Sequence, residues 1–211
     1  LEPHLSGAIL IMGAGAVIML VGGINWAWVG GALGAAAAMM YFVLFVIGYN
    51  ASRITYWLDP WEDAQGSGYQ LSQSLLSIGS GGLLGVGLGK SRQKFMFLPE
   101  EHNDFIFAIV CEELGLIGAG IIMLLFAALI LRGYWIALHA RDRFGSLMVV
   151  GIITLIALQT FLNIGVVTGL LPTTGISLPF FSYGGTALSM QLAEMGIVLS
   201  VSRQMRPTKA G

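Results

Sequence analysis

With 211 residues, 56% of them hydrophobic and 10% charged, and a mean hydropathy of +0.82, this chain carries far less charge than the about 25% of an ordinary soluble domain. A soluble fold of this size could not hide so much apolar surface, so the bilayer is the expected solvent. A net charge of -1 argues against nucleic acid as a partner, and a single cysteine, Cys111, excludes an internal disulfide and a cysteine-based zinc site.

The chain opens on Leu1 with no charged n-region or cleavage site ahead of its first apolar run. That run is therefore expected to be a span rather than a signal peptide, and the chain a piece whose beginning lies elsewhere. Five apolar runs follow in order: Leu5 to Gly22, Trp28 to Gly48, Phe105 to Leu131, Leu147 to Leu171 and Phe180 to Val201. Each is long enough, or nearly so, for a hydrocarbon core of about 30 Å, which takes about 20 helical residues. Open sheets cannot stand in lipid, so the expected fold is all-α: a polytopic integral membrane helix bundle of five transmembrane helices in a single domain over 1–211. Gly13 to Ala16 and Gly30 to Ala38 supply small residues that let helices approach closely.

Basic residues set the expected orientation. Arg132, Arg141 and Arg143 lie between the third and fourth runs, and Arg203, Arg206 and Lys209 follow the fifth; together they are six of the ten Lys and Arg. With five helices both groups fall on one side, the cytoplasm, and the segment from Asn50 to Asp104 faces outward as a large loop. Trp26, Trp28, Tyr134 and Trp135 on one side and Tyr56, Trp57 and Trp61 on the other suit interfacial belts.

So long a connection is usually functional. Within it Asp59-Pro60-Trp61 reads as a turn, and Leu71, Leu75 and Ile78 recur at helical spacing, which predicts a short helix in the membrane surface. Gly79 to Gly89 then forms a glycine run that no regular helix would choose. Lys90, Arg92 and Lys94 follow it, and mobile amides with three cations make an anion site, a pyrophosphate or the headgroups of anionic lipid. Gly89-Lys90-Ser91 imitates a nucleotide P-loop, but the position that needs the first glycine is Leu84.

Glu100, Glu101, His102, Asn103 and Asp104 cluster before the third run. They read either as helix capping or as a catalytic carboxylate at the membrane edge. Glu112 and Glu113 lie two turns into the third helix and Glu194 within the fifth, where ionisable groups are costly. For Glu112 and Glu113 a structural polar network is favoured, with Thr154, Gln159, Asn163 or Gln191 as partners. Cys111 reads as an inert small hydrophobe. Ser182, Tyr183, Gly184, Gly185 and Thr186 open the fifth helix, where paired glycines admit either a ligand or a neighbouring helix. His4 and His139 are isolated, so no metal site is expected from ligand spacing.

Several stretches together resemble the FtsW/RodA/SpoVE (SEDS) family. They are Leu58-Asp59-Pro60-Trp61 with Gly68-Tyr69-Gln70, Ser77 to Gly82, Gly87-Leu88-Gly89, Phe97 to Phe107, Glu112 to Gly115, Gly169 to Pro172 with Thr174-Gly175, and Leu178 to Gly185. The resemblance implies the last five of about ten helices, with residues 50–104 as the extracytoplasmic loop, in the bacterial cytoplasmic membrane. It implies a peptidoglycan glycosyltransferase that polymerises lipid II outside the membrane, for division or sporulation; a lipid II flippase is the alternative. Asp104 matches the family's essential aspartate and would be general base. Lys90, Arg92 and Lys94, with Glu100, His102 and Ser182, would hold the undecaprenyl pyrophosphate-linked glycan. No cofactor is firmly implied beyond a divalent cation, Mg or Mn, beside the pyrophosphate. The partner implied is a class B penicillin-binding protein, within membrane lipid. One departure is Glu2-Pro3-His4, where many members carry Gln-Pro-Asp.

Overall fold

The structure is a computed structural model, and it describes residues 5–41, 56–63, 68–91 and 104–205. Among these residues there are helices and no strand: α1 (Leu5–Val21), α2 (Trp26–Tyr41), α3 (Tyr69–Gly81), α4 (Ile106–Leu138), α5 (Arg143–Val167) and α6 (Gly185–Arg203). Each of the five apolar runs overlaps one helix, as its length and its many Leu, Ala, Ile and Met predict. The boundaries differ at both polar and glycine-rich ends: α6 begins at Gly185, so Ser182, Tyr183 and Gly184 precede the helix rather than open it. Arg132 lies inside α4, its guanidinium 4.1 Å from the ring of Trp135, and Arg143 is the first residue of α5. The connection between them is only residues 139–142, closed by Asp142, which caps α5 by accepting from the Gly145 amide at 2.9 Å.

Two helices, α4 and α5, are long and apolar enough to cross a membrane by length and composition, and α1 is a shorter apolar helix. On α4, Leu124, Leu131 and Leu138 are 71%, 70% and 82% exposed. Their seven-residue spacing makes one stripe along the helix. In water that stripe would drive aggregation; against lipid tails it is a solvated face.

Glycines set how closely the helices meet. A Cβ on Gly13 of α1 would sit 3.0 Å from Leu158 of α5, one on Gly151 of α5 would sit 2.9 Å from Ile18 of α1, and Gly133 of α4 faces Ile153 of α5 as tightly. Two apolar clusters result. One gathers Phe105, Phe107, Ala108, Val167 and Leu178 around the start of α4; the other gathers Ile136, Val149, Val150, Ile153 and Val198 around its end.

The short helix predicted from Leu71, Leu75 and Ile78 is α3, but its packing differs from a helix afloat in the membrane surface. Its buried residues are Leu71, Ser72, Ser74, Ser77 and Gly81. A serine-and-glycine face lets α3 lie close against α4 and α5, and the Ser74 hydroxyl donates to the Val167 carbonyl at 2.7 Å. That carbonyl is one of the four a helix end leaves without an internal partner. Helix also continues through Gly79 and Ser80 to Gly81, three residues into the run expected to be irregular. Tertiary contact offsets the poor propensity of glycine there.

Candidate active site

The ladder of α4 is broken at Gly115, whose φ of 67° and ψ of -172° are not helical. The turn after α3 enters the gap. The amides of Leu116 and Ile117 donate to the carbonyls of Gly82 (2.9 Å) and Leu83 (3.2 Å), and those of Val86 and Gly87 donate to the carbonyls of Glu112 and Glu113 (3.0 Å each). Four backbone groups freed by the break are thus re-satisfied inside the protein, as a lipid environment requires. Glycine is needed on both sides of this seam. A Cβ on Gly81 would stand 2.9 Å from the Glu112 Cα and still closer to the Cys111 carbonyl oxygen, and one on Gly85 would run into the Glu113 carbonyl.

Glu112 sits at the seam with 2% of its surface exposed. Its Oε2 accepts from the hydroxyls of Ser91 at 2.5 Å and Ser77 at 3.4 Å, and both serines are buried. A polar network was expected here with other members. Thr154 instead bonds Tyr134 (2.9 Å), Asn163 bonds two carbonyls and Gln191 accepts from the Phe180 amide (2.8 Å). Those side chains are claimed by their own neighbourhoods, and the glycine turn delivers Ser77 and Ser91 to Glu112 in their place. Among the described residues the Glu113 Oε1 is buried without a hydrogen-bond partner. Lys90, exposed, follows the turn with its amide donating to the Gly87 carbonyl at 3.1 Å.

Asp104 is half-buried where the chain meets α4, two residues ahead of Ile106. The N-cap position falls on Phe105, which makes no side-chain cap bond. Asn163, 1% exposed near the end of α5, fixes the backbone of Asp104: its Nδ2 donates to the Asp104 carbonyl at 2.6 Å and to the Ile176 carbonyl at 2.7 Å. The same clamp draws in the 172–184 segment, so a Cβ on Gly175 would lie 3.4 Å from the Asp104 Oδ2. Ser182 stabilises that segment, its Oγ accepting from the Leu178 amide at 2.7 Å. Phe180 holds a φ of 64°, a region side chains rarely adopt outside constrained sites, and its amide is tied to Gln191. Trp57 closes the outer edge by donating to the Gly169 carbonyl at 2.8 Å.

The structure therefore gathers Asp104 and the Ser182 segment around Asn163, and sets Glu112 at the seam beside the turn that leads to Lys90. Glu194 is part-buried on α6. Arg92, Lys94, Glu100 and His102, with Glu101, Asn103 and His4, lie outside the described residues. Sequence reasoning missed the roles of Asn163, Ser77 and Ser91. The signal available was an amide deep in an apolar helix, and serines repeating at 72, 74, 77 and 80 along α3. Asn163→Ala strands one half-buried and one buried carbonyl, at about 1–3 kcal/mol each. It is expected to lower stability by about 2–4 kcal/mol, measured as a fall in the thermal unfolding midpoint in detergent; an unchanged midpoint would mean the clamp is not made.

A family model described as cell cycle protein, covering FtsW, RodA and SpoVE, matches residues 1–207. Stage V sporulation protein E of Bacillus subtilis is 58% identical over 158 residues, which is 75% of this chain and 43% of that protein. A probable peptidoglycan glycosyltransferase FtsW of Geobacter metallireducens is 46% identical over 209 residues, 99% of this chain and 56% of its own length. A solved structure from work on the structural coordination of polymerization and crosslinking by a peptidoglycan synthase complex superposes with a TM-score of 0.76 at 29% identity, across 97% of this chain and 57% of that one. The chain spans about half the length of the curated relatives it matches.

Proposed function

The chain belongs to the FtsW/RodA/SpoVE family of cell cycle proteins, and on that premise we propose that it is part of a peptidoglycan glycosyltransferase that polymerises lipid II at the outer face of the cytoplasmic membrane. The observation that carries this reading is the seating of Asp104, a half-buried carboxylate held at its backbone by Asn163 and facing the space beside Gly175. In the proposed reaction the 4-hydroxyl of the acceptor sugar attacks the anomeric carbon of the growing chain. The bond from that carbon to the pyrophosphate oxygen breaks, its electron pair leaves with undecaprenyl pyrophosphate, and the configuration inverts. Asp104 takes the hydroxyl proton as the new bond forms. Lys90, with Arg92 and Lys94, offsets charge on the departing pyrophosphate.

Among the described residues no group of three or more His, Cys, Asp or Glu side chains converges. A divalent cation, Mg or Mn, beside the pyrophosphate would add to the charge that Lys90, Arg92 and Lys94 offset. The excess of Arg and Lys at residues 132–143 and 203–209 supports a cytoplasmic C-terminus and an extracytoplasmic 50–104 loop. A class B penicillin-binding protein is the proposed partner, in keeping with the synthase complex that the fold resembles.

Purified full-length protein with its transpeptidase, supplied with lipid II, tests the reading. Glycan strands are expected; movement of lipid II across vesicles with no strands would overturn it in favour of the flippase.

A further inference from the structure

Glu112 has no part in the proposed chemistry, yet it is among the most deeply buried side chains of the protein, and a carboxylate at that depth is costly. Three separate pieces of chain meet on it. Ser77 comes from α3, Ser91 comes from the far end of the glycine turn, and the turn's Val86 amide bonds the Glu112 carbonyl. The residue bonds the turn through both its side chain and its backbone. Exposure falls abruptly along this stretch: Leu88, Gly89 and Lys90 are exposed, and Ser91 is 2% exposed. Lys90 is thus a cation on an exposed turn, pinned on one side by the Gly87 carbonyl and on the other by a buried serine.

We propose that Glu112 is a positioning residue for pyrophosphate binding, acting through Ser91 to hold Lys90 where its ammonium meets a pyrophosphate oxygen. This rests on the polymerase reading for the identity of the anion, but not on the role of Asp104. The physical need is clear. A lysine ammonium is a point charge on a flexible four-carbon stem, so its contribution depends on where its backbone is held. Four glycines between 82 and 89 have positive φ, at 82, 85, 87 and 89; the seam with α4 ends at Gly87, so the stretch beyond it needs an anchor of its own. A buried hydroxyl–carboxylate bond supplies that anchor, being stronger than a neutral pair.

The test is a double-mutant cycle read as the dissociation constant for inorganic pyrophosphate, by calorimetry on the full-length protein. A dissociation constant does not change when part of a sample is merely unfolded. Lys90→Ala is expected to weaken binding about tenfold, the size of one charge-assisted hydrogen bond. Ser91→Ala is expected to weaken it by a similar factor, and the double variant no further, because both remove one interaction. Glu112→Gln keeps the shape and a neutral acceptor, so a smaller loss of about threefold is expected; it also serves if Ser91→Ala does not fold. Wild-type affinity in Ser91→Ala or Glu112→Gln, additive losses in the double variant, or no pyrophosphate binding by the wild type would each overturn the proposal. Asp104→Asn run alongside separates the two readings: it is expected to bind pyrophosphate normally while losing polymerisation. Polymerisation that survives Asp104→Asn sinks the catalytic assignment and leaves the pyrophosphate cycle intact.

Discussion

Asp104→Asn in the full-length protein is expected to lower lipid II polymerisation by about 10²- to 10⁴-fold, the usual contribution of a positioned general base. The substitution is close to isosteric, and Asn163 holds Asp104 through its backbone carbonyl, which survives the change. Fold and partner binding are therefore expected to persist while the proton acceptor is lost. A neutral amide cannot take the proton of a sugar hydroxyl, and the solvent must do so without the benefit of fixed geometry. Glycan strands separated on a gel, with co-purification of the transpeptidase as the folding control, give the readout. Strand synthesis at the wild-type rate would reduce Asp104 to a structural residue at the mouth of α4 and move the search to Glu100, Glu101 and the intramembrane acids.

The second large effect is expected from Gly115→Ala, which is silent by composition and severe by geometry. The φ and ψ of Gly115 fall in a region that is almost wholly glycine's, at a cost of about 1–3 kcal/mol for any other residue. The added methyl would also come within 2.6 Å of the Leu83 carbonyl, and closer still to the Gly85 amide. Neither neighbour can yield, because both belong to the backbone seam that satisfies the break in α4. Loss of about 3 kcal/mol or more follows from strain and overpacking together. We expect a markedly lower unfolding midpoint in detergent and poor accumulation in membranes. A well-behaved Gly115→Ala protein would mean that α4 can run unbroken, and that the turn at 82–87 is not built into it. Gly120, where a Cβ meets nothing within 4 Å, is the control position on the same helix.

The fold class was legible because the signal is additive. Each apolar run carries enough Leu, Ile, Val and Ala to favour helix whatever its neighbours do, and five helices overlap the five runs. The short helix α3 was legible in the same way, from Leu71, Leu75 and Ile78. Its orientation was legible only in part: Leu71 is buried as its spacing predicts, but Ser72, Ser74 and Ser77 are buried with it. Hydrophobic spacing reports burial against apolar neighbours. It is blind to a face that docks by small size and by donating hydroxyls to orphan carbonyls.

By itself, the sequence determined the solvent, the all-helical class, the family motifs and the candidate carboxylate Asp104, because these depend on local composition and on residues read in order. Only the tertiary structure decided that α4 is broken at Gly115, that the glycine turn mends the break, that Glu112 belongs to Ser77 and Ser91, and that Asn163 clamps Asp104 to Ile176. Each of these is a pairing across a long stretch of chain, between backbone groups every residue carries or between common polar side chains. Which donor meets which acceptor is settled by the approach of whole helices, a property no short window of sequence contains.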